Sequence, residues 1–228
     1  QFAGQEGVVH IDDSFADGHT AYIVMEYLQG QTLKQYLAAK GGKLETDEAI
    51  QLILPVLNAL KKVHATGIIH RDISPDNIFL TDDGAIKLID FGAARFASTQ
   101  HSKSLSVILK PGYAPGEQYR SRGRQGPWTD IYAVGATLYR LITGQIPEEA
   151  LERAVNDTLK APSALGIKIG TGIENALMNA LNVHAEDRIQ QAAEFEAALL
   201  GTVKLDRKIV RQTRPDTGRW PAWLKWGT

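Results

Sequence analysis

The chain has 228 residues, of which 43% are hydrophobic and 22% charged, and its formal net charge is −1. These values are ordinary for a soluble globular protein and lack the basic footprint expected of a nucleic-acid-binding protein. The absence of cysteine excludes a disulfide framework and thiol chemistry, and no apolar run reaches the roughly 18–20 residues of a membrane helix. We therefore expect a cytoplasmic protein. The chain begins at Gln1 rather than Met, which suggests a fragment.

The first predicted element is a β-hairpin over residues 8–28. Residues 8–11 are its predicted first strand, and Asp17-Gly18 is a strong turn signal. Residues 20–27 are rich in β-branched and aromatic side chains and form the predicted second strand.

A helical pattern follows from Thr46, with Thr46 or Asp47 as the candidate N-cap. Apolar residues then recur at three-to-four spacing and predict a buried stripe. The stripe comprises Ile50, Leu52, Ile53, Val56, Leu57, Leu60 and Val63.

The second half of the chain is predicted to be mostly helical. Residues 68–92 read as short strands and loops, and residues 93–127 as an irregular, mobile segment rich in Ser, Gly, Pro and Arg. Residues 130–141 are apolar on nearly all sides, which predicts a central buried helix that ends at Gly144 and Pro147. Three amphipathic stretches follow, at about 147–158, 171–183 and 189–200.

The last segment, residues 202–228, differs in composition. It is basic and holds Trp220, Trp223 and Trp226. One interpretation is an exposed or loosely docked extension. The other is a membrane-proximal or partner-docking segment.

The most informative stretch is residues 70–92, which read HRDISPDNIFLTDDGAIKLIDFG. It contains His70-Arg71-Asp72, then Asn77, then Asp90-Phe91-Gly92. A hairpin that turns at Asp82-Asp83-Gly84 would return Asp90 close to Asn77. The pattern resembles the catalytic loop and metal-binding loop of protein kinases, H-R-D-x-x-x-x-N followed by D-F-G.

The resemblance implies a role for each of these residues. Asp72 would accept the proton of the substrate hydroxyl, and Asn77 and Asp90 would hold Mg²⁺ on ATP. His70 would pack and support the loop. Arg71 would pair with a phosphate on the following segment. The candidate acceptors there are Ser98, Thr99, Ser102, Ser104 and Ser106.

The resemblance extends upstream and covers roughly residues 1–200. Met25, Glu26, Tyr27 and Leu28 look like the gatekeeper and hinge, where the Glu26 carbonyl and the Leu28 amide and carbonyl would face the adenine of ATP. Phe79 would form the floor of the adenine pocket.

The resemblance also extends downstream. Residues 112–117 (GYAPGE) stand where the A-P-E motif closes the activation segment. By the same comparison, Asp130 should brace the backbone of the catalytic loop, and Arg188 should form an ion pair with Glu117.

The sequence departs from the family pattern in several places. The Gly-rich loop, the phosphate-gripping lysine and its glutamate partner are absent, so we expect poor ATP affinity of this chain alone. Ser74 replaces a usual lysine, which implies that an ammonium near the γ-phosphate is missing. Lys110 replaces a frequent threonine, and Gly116 stands where proline is usual.

We therefore predict an α+β, protein-kinase-like fold. Residues 1–28 would be the remnant of the small lobe, residues 29–201 the large lobe, and residues 202–228 a C-terminal extension. The predicted activity is transfer of the ATP γ-phosphate to Ser or Thr of protein substrates, with ATP and Mg²⁺ as cofactors. The alternatives are a pseudokinase-like scaffold and a small-molecule phosphotransferase, the latter disfavoured by the features at 112–117, Asp130 and Arg188.

Three expectations concern partners. No nucleic acid is expected. The hairpin at residues 8–28 has an unpaired edge and is a candidate for self-association. A membrane tether beyond Thr228 could associate a longer form of the protein with a membrane.

Overall fold

The computed structural model describes residues 7–18, 20–90, 109–120 and 123–206. Its strands are β1 (Ile11–Asp17), β2 (Thr20–Met25), β3 (Gly30–Thr32), β4 (Ile78–Thr81) and β5 (Ile86–Leu88). Its α-helices are α1 (Leu33–Ala39), α2 (Thr46–Ala65), α3 (Pro127–Thr143), α4 (Ala150–Val155), α5 (Thr171–Ala180) and α6 (Ala192–Leu199). Strands and helices occur together, which confirms the predicted α+β class.

The β1–β2 hairpin forms as predicted, but its first strand begins later than expected. Ile11 pairs with Met25 and Asp17 pairs with Thr20 across the turn at Gly18. The assignment of residues 8–11 to the first strand was wrong, because Val8 and Val9 are buried beside β5 instead. The Val9 amide donates to the Leu88 carbonyl at 3.0 Å. Val8 and Val9 are consecutive apolar residues without polar alternation, so their sequence suits both a hairpin strand and a place beside β5. Tertiary packing decided in favour of β5.

The remaining strands form an antiparallel sheet in the order β3–β4–β5. Ile78 pairs with Leu88 and Leu80 with Ile86. Between them the Thr81 amide donates to the Ala85 carbonyl, and Gly84 has φ +86°, which closes the predicted turn at residues 82–84.

Helices α2, α3, α5 and α6 build the core. Of residues 129–142 in α3 only Arg140 is not buried, which confirms the prediction of a central helix. Gly135 allows α5 to approach closely, since a Cβ there would lie 3.1 Å from the Ala180 Cβ. The predicted stripe of α2 is buried apart from Leu52, which packs partly exposed against the core. The three amphipathic stretches contain α4, α5 and α6.

Two details of the helices were not anticipated. Helix α1 is absent from the predicted elements. It begins at Thr32, whose hydroxyl accepts from the Gln35 amide while the Gln35 side chain accepts from the Thr32 amide. Helix α2 is capped by Glu45, without a side-chain cap bond, rather than by Thr46 or Asp47. Thr46 instead donates to the Lys168 carbonyl at 3.0 Å, a partner 122 positions away.

Across the described ranges, every helix is too short or too polar to cross a membrane. Residues 207–228 lie outside these ranges. The two interpretations of the C-terminal extension therefore stay predictions.

Candidate active site

Asp72 and Asn77 lie together in the loop between α2 and β4. The Asn77 Nδ2 group donates to the Asp72 carbonyl at 2.7 Å and to Asp72 Oδ2 at 2.8 Å. The Asn77 amide also donates to the Ser74 carbonyl at 3.0 Å, which tightens the loop. Both side-chain bonds use Nδ2, so Asn77 Oδ1 is the atom that can serve a cation.

The β4–β5 hairpin returns Asp90 to this loop. The Ile89 amide donates to the Asn77 carbonyl at 3.0 Å, next to the β4–β5 ladder. Asp90 follows directly, with an exposed side chain and φ +58°, a left-handed conformation that is uncommon outside glycine. The prediction that the hairpin brings Asp90 near Asn77 is confirmed. Phe91, Gly92 and the candidate phosphate acceptors at 98–106 lie outside the described residues.

His70 packs beneath the loop, as predicted. Its ring is 1% exposed, its Nε2 lies 3.1 Å from the Ile89 carbonyl, and its Nδ1 accepts from the Asp72 amide at 3.3 Å. These contacts fit a neutral ring with the proton on Nε2. Burial lowers the pKa of His70 from its usual range.

Asp130, at the start of α3, holds the loop backbone as predicted. Its Oδ2 accepts from the His70 amide and its Oδ1 from the Arg71 amide, both at 2.8 Å. His64 Nε2 lies 2.8 Å from the same Oδ2. His64 was missed in the sequence, where it appears only as a polar residue at the end of α2.

Arg71 is exposed and has φ +72°. Its carbonyl accepts from Gln118 Nε2 at 2.8 Å, and the residue lines an open cleft of about 310 Å³ with Gln125 and Trp128. Two hydrogen bonds therefore hold the Arg71 backbone in a strained conformation. The proposed phosphate partner of Arg71 falls among residues that are not described.

The lysine expected at position 74 is absent, but another ammonium lies beside the catalytic loop. Lys110 Nζ donates to Ser74 Oγ at 2.9 Å and lies 3.4 Å from Asp72 Oδ2. The two departures from the family pattern, 36 positions apart, meet at the same place. In the sequence the two substitutions stand apart, and only the folded chain brings them into contact.

The hinge segment adjoins β2 and β5. The Glu26 amide donates to the His10 carbonyl, and the Glu26 carboxylate binds Lys87 Nζ at 2.6 and 2.7 Å. The hydrogen bond from Lys87, followed by that from the His10 amide, lowers the pKa of Glu26. Tyr27 is 89% exposed, Met25 is 45% exposed, and Leu28 is half-buried. The Glu26 side chain is thus turned to β5.

Phe79 lies in β4, the central strand of the three-stranded sheet. It is half-buried and pairs with Thr32 of β3 and Lys87 of β5. The residues named for the adenine pocket therefore come from β2, the following loop and β4, and Lys87 links the two regions through Glu26.

Asn77 and Asp90 offer two of the donor types found in cation sites, an amide oxygen and a carboxylate. In the described part of the chain, no group of three His, Cys, Asp or Glu side chains could by itself hold a metal ion. An amide oxygen with one carboxylate suits Mg²⁺, which commonly takes one or two protein oxygens and completes its shell with water and phosphate. Such a site requires a phosphorylated ligand.

Comparison with known proteins assigns the chain to a family. The family model of the protein kinase domain matches residues 2–197. Serine/threonine-protein kinase PrkC of Bacillus subtilis (strain 168) is 35% identical over 208 residues, which are 88% of this chain and 32% of that protein. Probable serine/threonine-protein kinase PknB of Lactococcus lactis is 33% identical over 209 residues, 88% of this chain and 33% of that protein. The chain spans about a third of the length of these curated relatives.

Two solved structures have a similar fold. The apo form of PpkA-294 is 32% identical and has a TM-score of 0.70, over 85% of this chain and 68% of that one. The PknI kinase domain of Mycobacterium tuberculosis has a TM-score of 0.67 over 87% of this chain and 73% of that one. Its identity of 24% carries the likeness of fold alone.

Proposed function

Because the chain belongs to the protein kinase family, we propose that the protein transfers the γ-phosphoryl group of ATP to Ser or Thr hydroxyls of protein substrates. The observation that carries the proposal is the double hydrogen bond from Asn77 to Asp72, with Asp90 returned beside it by the β4–β5 hairpin. This is the arrangement that phosphoryl transfer needs, since it depends on positioning and on charge neutralisation.

Each residue has a proposed task. Asp72 receives the proton of the substrate hydroxyl, and the bond from Asn77 Nδ2 fixes the orientation of its carboxylate. Asn77 Oδ1 and Asp90 hold Mg²⁺, which neutralises charge on the phosphates when it is bound. The Arg71 guanidinium forms an ion pair with a phosphate group on the segment that follows Gly92.

The adenine of ATP is proposed to lie against the hinge. Backbone groups of Glu26 and Leu28 meet its edge, with Met25 and Tyr27 beside them and Phe79 beneath. The engagement of the Glu26 side chain by Lys87 supports this, because it fixes the backbone of the hinge. We also propose that residues 1–28 and 29–201 are the small-lobe and large-lobe portions and that 202–228 is an extension.

Mg²⁺-dependent ATP binding, measured by calorimetry, and phosphoryl transfer to a protein substrate test the assignment. We expect Asp90→Asn to lose Mg²⁺-dependent binding, and Asp72→Asn to bind ATP while kcat falls by at least about 100-fold. Asp82→Asn, the same change at an exposed turn position of the hairpin, is the matched control and should behave as the parent does.

Other outcomes would favour other functions. ATP binding without transfer, unchanged in Asp72→Asn, would indicate the pseudokinase-like scaffold. Transfer to a small molecule but to no protein would indicate the third alternative.

We further propose that the β1–β2 hairpin associates with a second copy of the chain. Every residue of both strands that the structure describes is exposed, including Phe15 at 51% and Tyr22 at 46%, whose rings stack at 5.2 Å. Apolar side chains on an exposed two-stranded sheet favour edge pairing. Light scattering of the chain at high concentration should give a dimer mass that Phe15→Ser abolishes and Val155→Ser, at an 89% exposed position elsewhere, retains. A monomer mass throughout would contradict the proposal.

A further inference from the structure

Lys110 brings a positive charge to the catalytic loop from a distant part of the chain. Its ammonium donates to Ser74 Oγ at 2.9 Å and lies 3.4 Å from Asp72 Oδ2, the oxygen that also accepts from Asn77. An ammonium has three N–H donors. Ser74 takes one of them and Asp72 is an ion-pair partner at 3.4 Å, so N–H donors remain for a further acceptor in front of Asp72.

The backbone holds Lys110 in this place. Its carbonyl accepts from the amides of Tyr113 and Ala114 at 3.1 and 3.0 Å, which closes a tight turn. Gly112 in that turn has φ +80°, and a Cβ there would lie 2.4 Å from Ile146 Cγ2. The lysine is thus carried by a turn docked on the chain after α3, unlike an ordinary surface lysine on a free loop.

Burial indicates which way the ammonium is open. Ser74 is fully buried beneath it, whereas the Lys110 and Asp72 side chains are 31% and 34% exposed. The charge therefore lies on the solvent-facing side of Ser74, beside the partly exposed carboxylate of Asp72.

We propose that Lys110 is the catalytic cation of phosphoryl transfer and contacts the oxygens of the transferred γ-phosphoryl group. The inference rests on the proposed kinase function. The substrate oxygen forms a bond to the γ-phosphorus, its proton passes to Asp72, and the bond from the γ-phosphorus to the β–γ bridging oxygen breaks with its electron pair on ADP. Lys110 neutralises charge on the peripheral oxygens throughout, with Ser74 holding the ammonium in position.

An exchange of the two side chains tests the proposal in the full-length protein. Lys110→Ser removes the charge, and the double variant Ser74→Lys, Lys110→Ser returns it from the other side of the same contact. Lys34→Ser, at an exposed lysine paired with Asp76, is the control. Calorimetry with Mg-ATP and with Mg-ADP gives a readout independent of turnover, because only ATP carries the γ-phosphate.

We expect Lys110→Ser to lower kcat about 100-fold, as for loss of one group that stabilises developing charge, with little change in the KM of the protein substrate. Its preference for ATP over ADP should fall about tenfold, and the exchange variant should recover both quantities in large part. Unaltered kcat and unaltered ATP preference in Lys110→Ser would overturn the proposal. Lost kcat with an unaltered ATP preference and no recovery on exchange would also overturn it, in favour of a structural role for the turn.

Failure of the kinase function itself is distinguishable. If the parent transfers no phosphate yet prefers ATP, loss of that preference in Lys110→Ser supports the lysine contact while the proposed activity fails. A parent that binds neither nucleotide overturns both.

Discussion

The guanidinium of Arg188 lies 2.7 Å from the carboxylate of Glu117, although the two residues are 71 positions apart. The Arg188 side chain is fully buried and also donates to the carbonyls of Trp128, Asn182 and Val183. The predicted ion pair is confirmed. It joins the segment that precedes α3 to the turn before α6.

Loss of one partner of this pair should destabilise the fold strongly. Arg188→Met removes the charged partner of a nearly buried carboxylate, which keeps the Thr129 hydroxyl as a donor, and it removes a donor from three carbonyls. We expect a loss of about 3–5 kcal/mol in the free energy of unfolding. Urea denaturation measures it. Lys40→Met breaks the solvent-exposed Lys40–Glu48 pair and should change the free energy of unfolding little. Equal losses in the two variants would contradict the argument.

Asp130 should be sensitive to the loss of a single oxygen. In Asp130→Asn the amide oxygen can accept from only one of the His70 and Arg71 amides, and the NH₂ group faces the other donor. We expect the free energy of unfolding to fall by about 1–3 kcal/mol and kcat to fall with it, because the loop carries Asp72. Glu186→Gln, at an exposed position, should change neither quantity. Full activity with lowered stability would separate the bracing of the loop from catalysis.

The packing of the turn that carries Lys110 predicts different effects on stability for alanine substitutions at Gly112 and Gly116. Gly112→Ala places a Cβ 2.4 Å from Ile146 Cγ2 and 2.5 Å from the Pro147 carbonyl at a positive φ, so either the turn or the chain after α3 must move. We expect a loss of about 2–4 kcal/mol in the free energy of unfolding. Gly116→Ala meets nothing nearer than Leu151 at 4.0 Å and should be tolerated. Thermal unfolding of both variants measures the difference, and similar melting temperatures would refute the packing argument.

Stability should depend on pH through His70. Burial lowers the pKa of the folded-state ring, whereas the unfolded chain titrates near 6.5. Above that pH the His70 ring is neutral in both the folded and the unfolded state, so its protonation does not change the free energy of unfolding. Below it the unfolded chain takes up a proton more readily than the folded protein does, so the free energy of unfolding should fall between pH 7.5 and 5.5.

Urea denaturation at the two pH values measures this loss. His70→Gln should lose that part of the pH dependence, and His184→Gln, outside the site, should keep it. An unchanged pH dependence in His70→Gln would show that other groups cause it.

Local spacing in the sequence determined much of the proposed site. Asn77, the turn at residues 82–84 and Asp90 lie within one hairpin, and alternating strand geometry is enough to bring its ends together. The burial of α3 likewise follows from an apolar surface on all its sides. Helix α1 escaped prediction because seven residues carry too little periodicity, and its start depends on Thr32 and Gln35.

Tertiary structure alone decided the rest. Spacing cannot reveal that Lys110 returns the charge lost at position 74, that Val8 and Val9 leave the hairpin for β5, or that His64 reaches Asp130. Each of these contacts joins residues that do not share a strand pair or a helix, so local geometry cannot predict it. These contacts form because the packing of α2, α3 and the small sheet brings distant backbone segments within hydrogen-bonding distance.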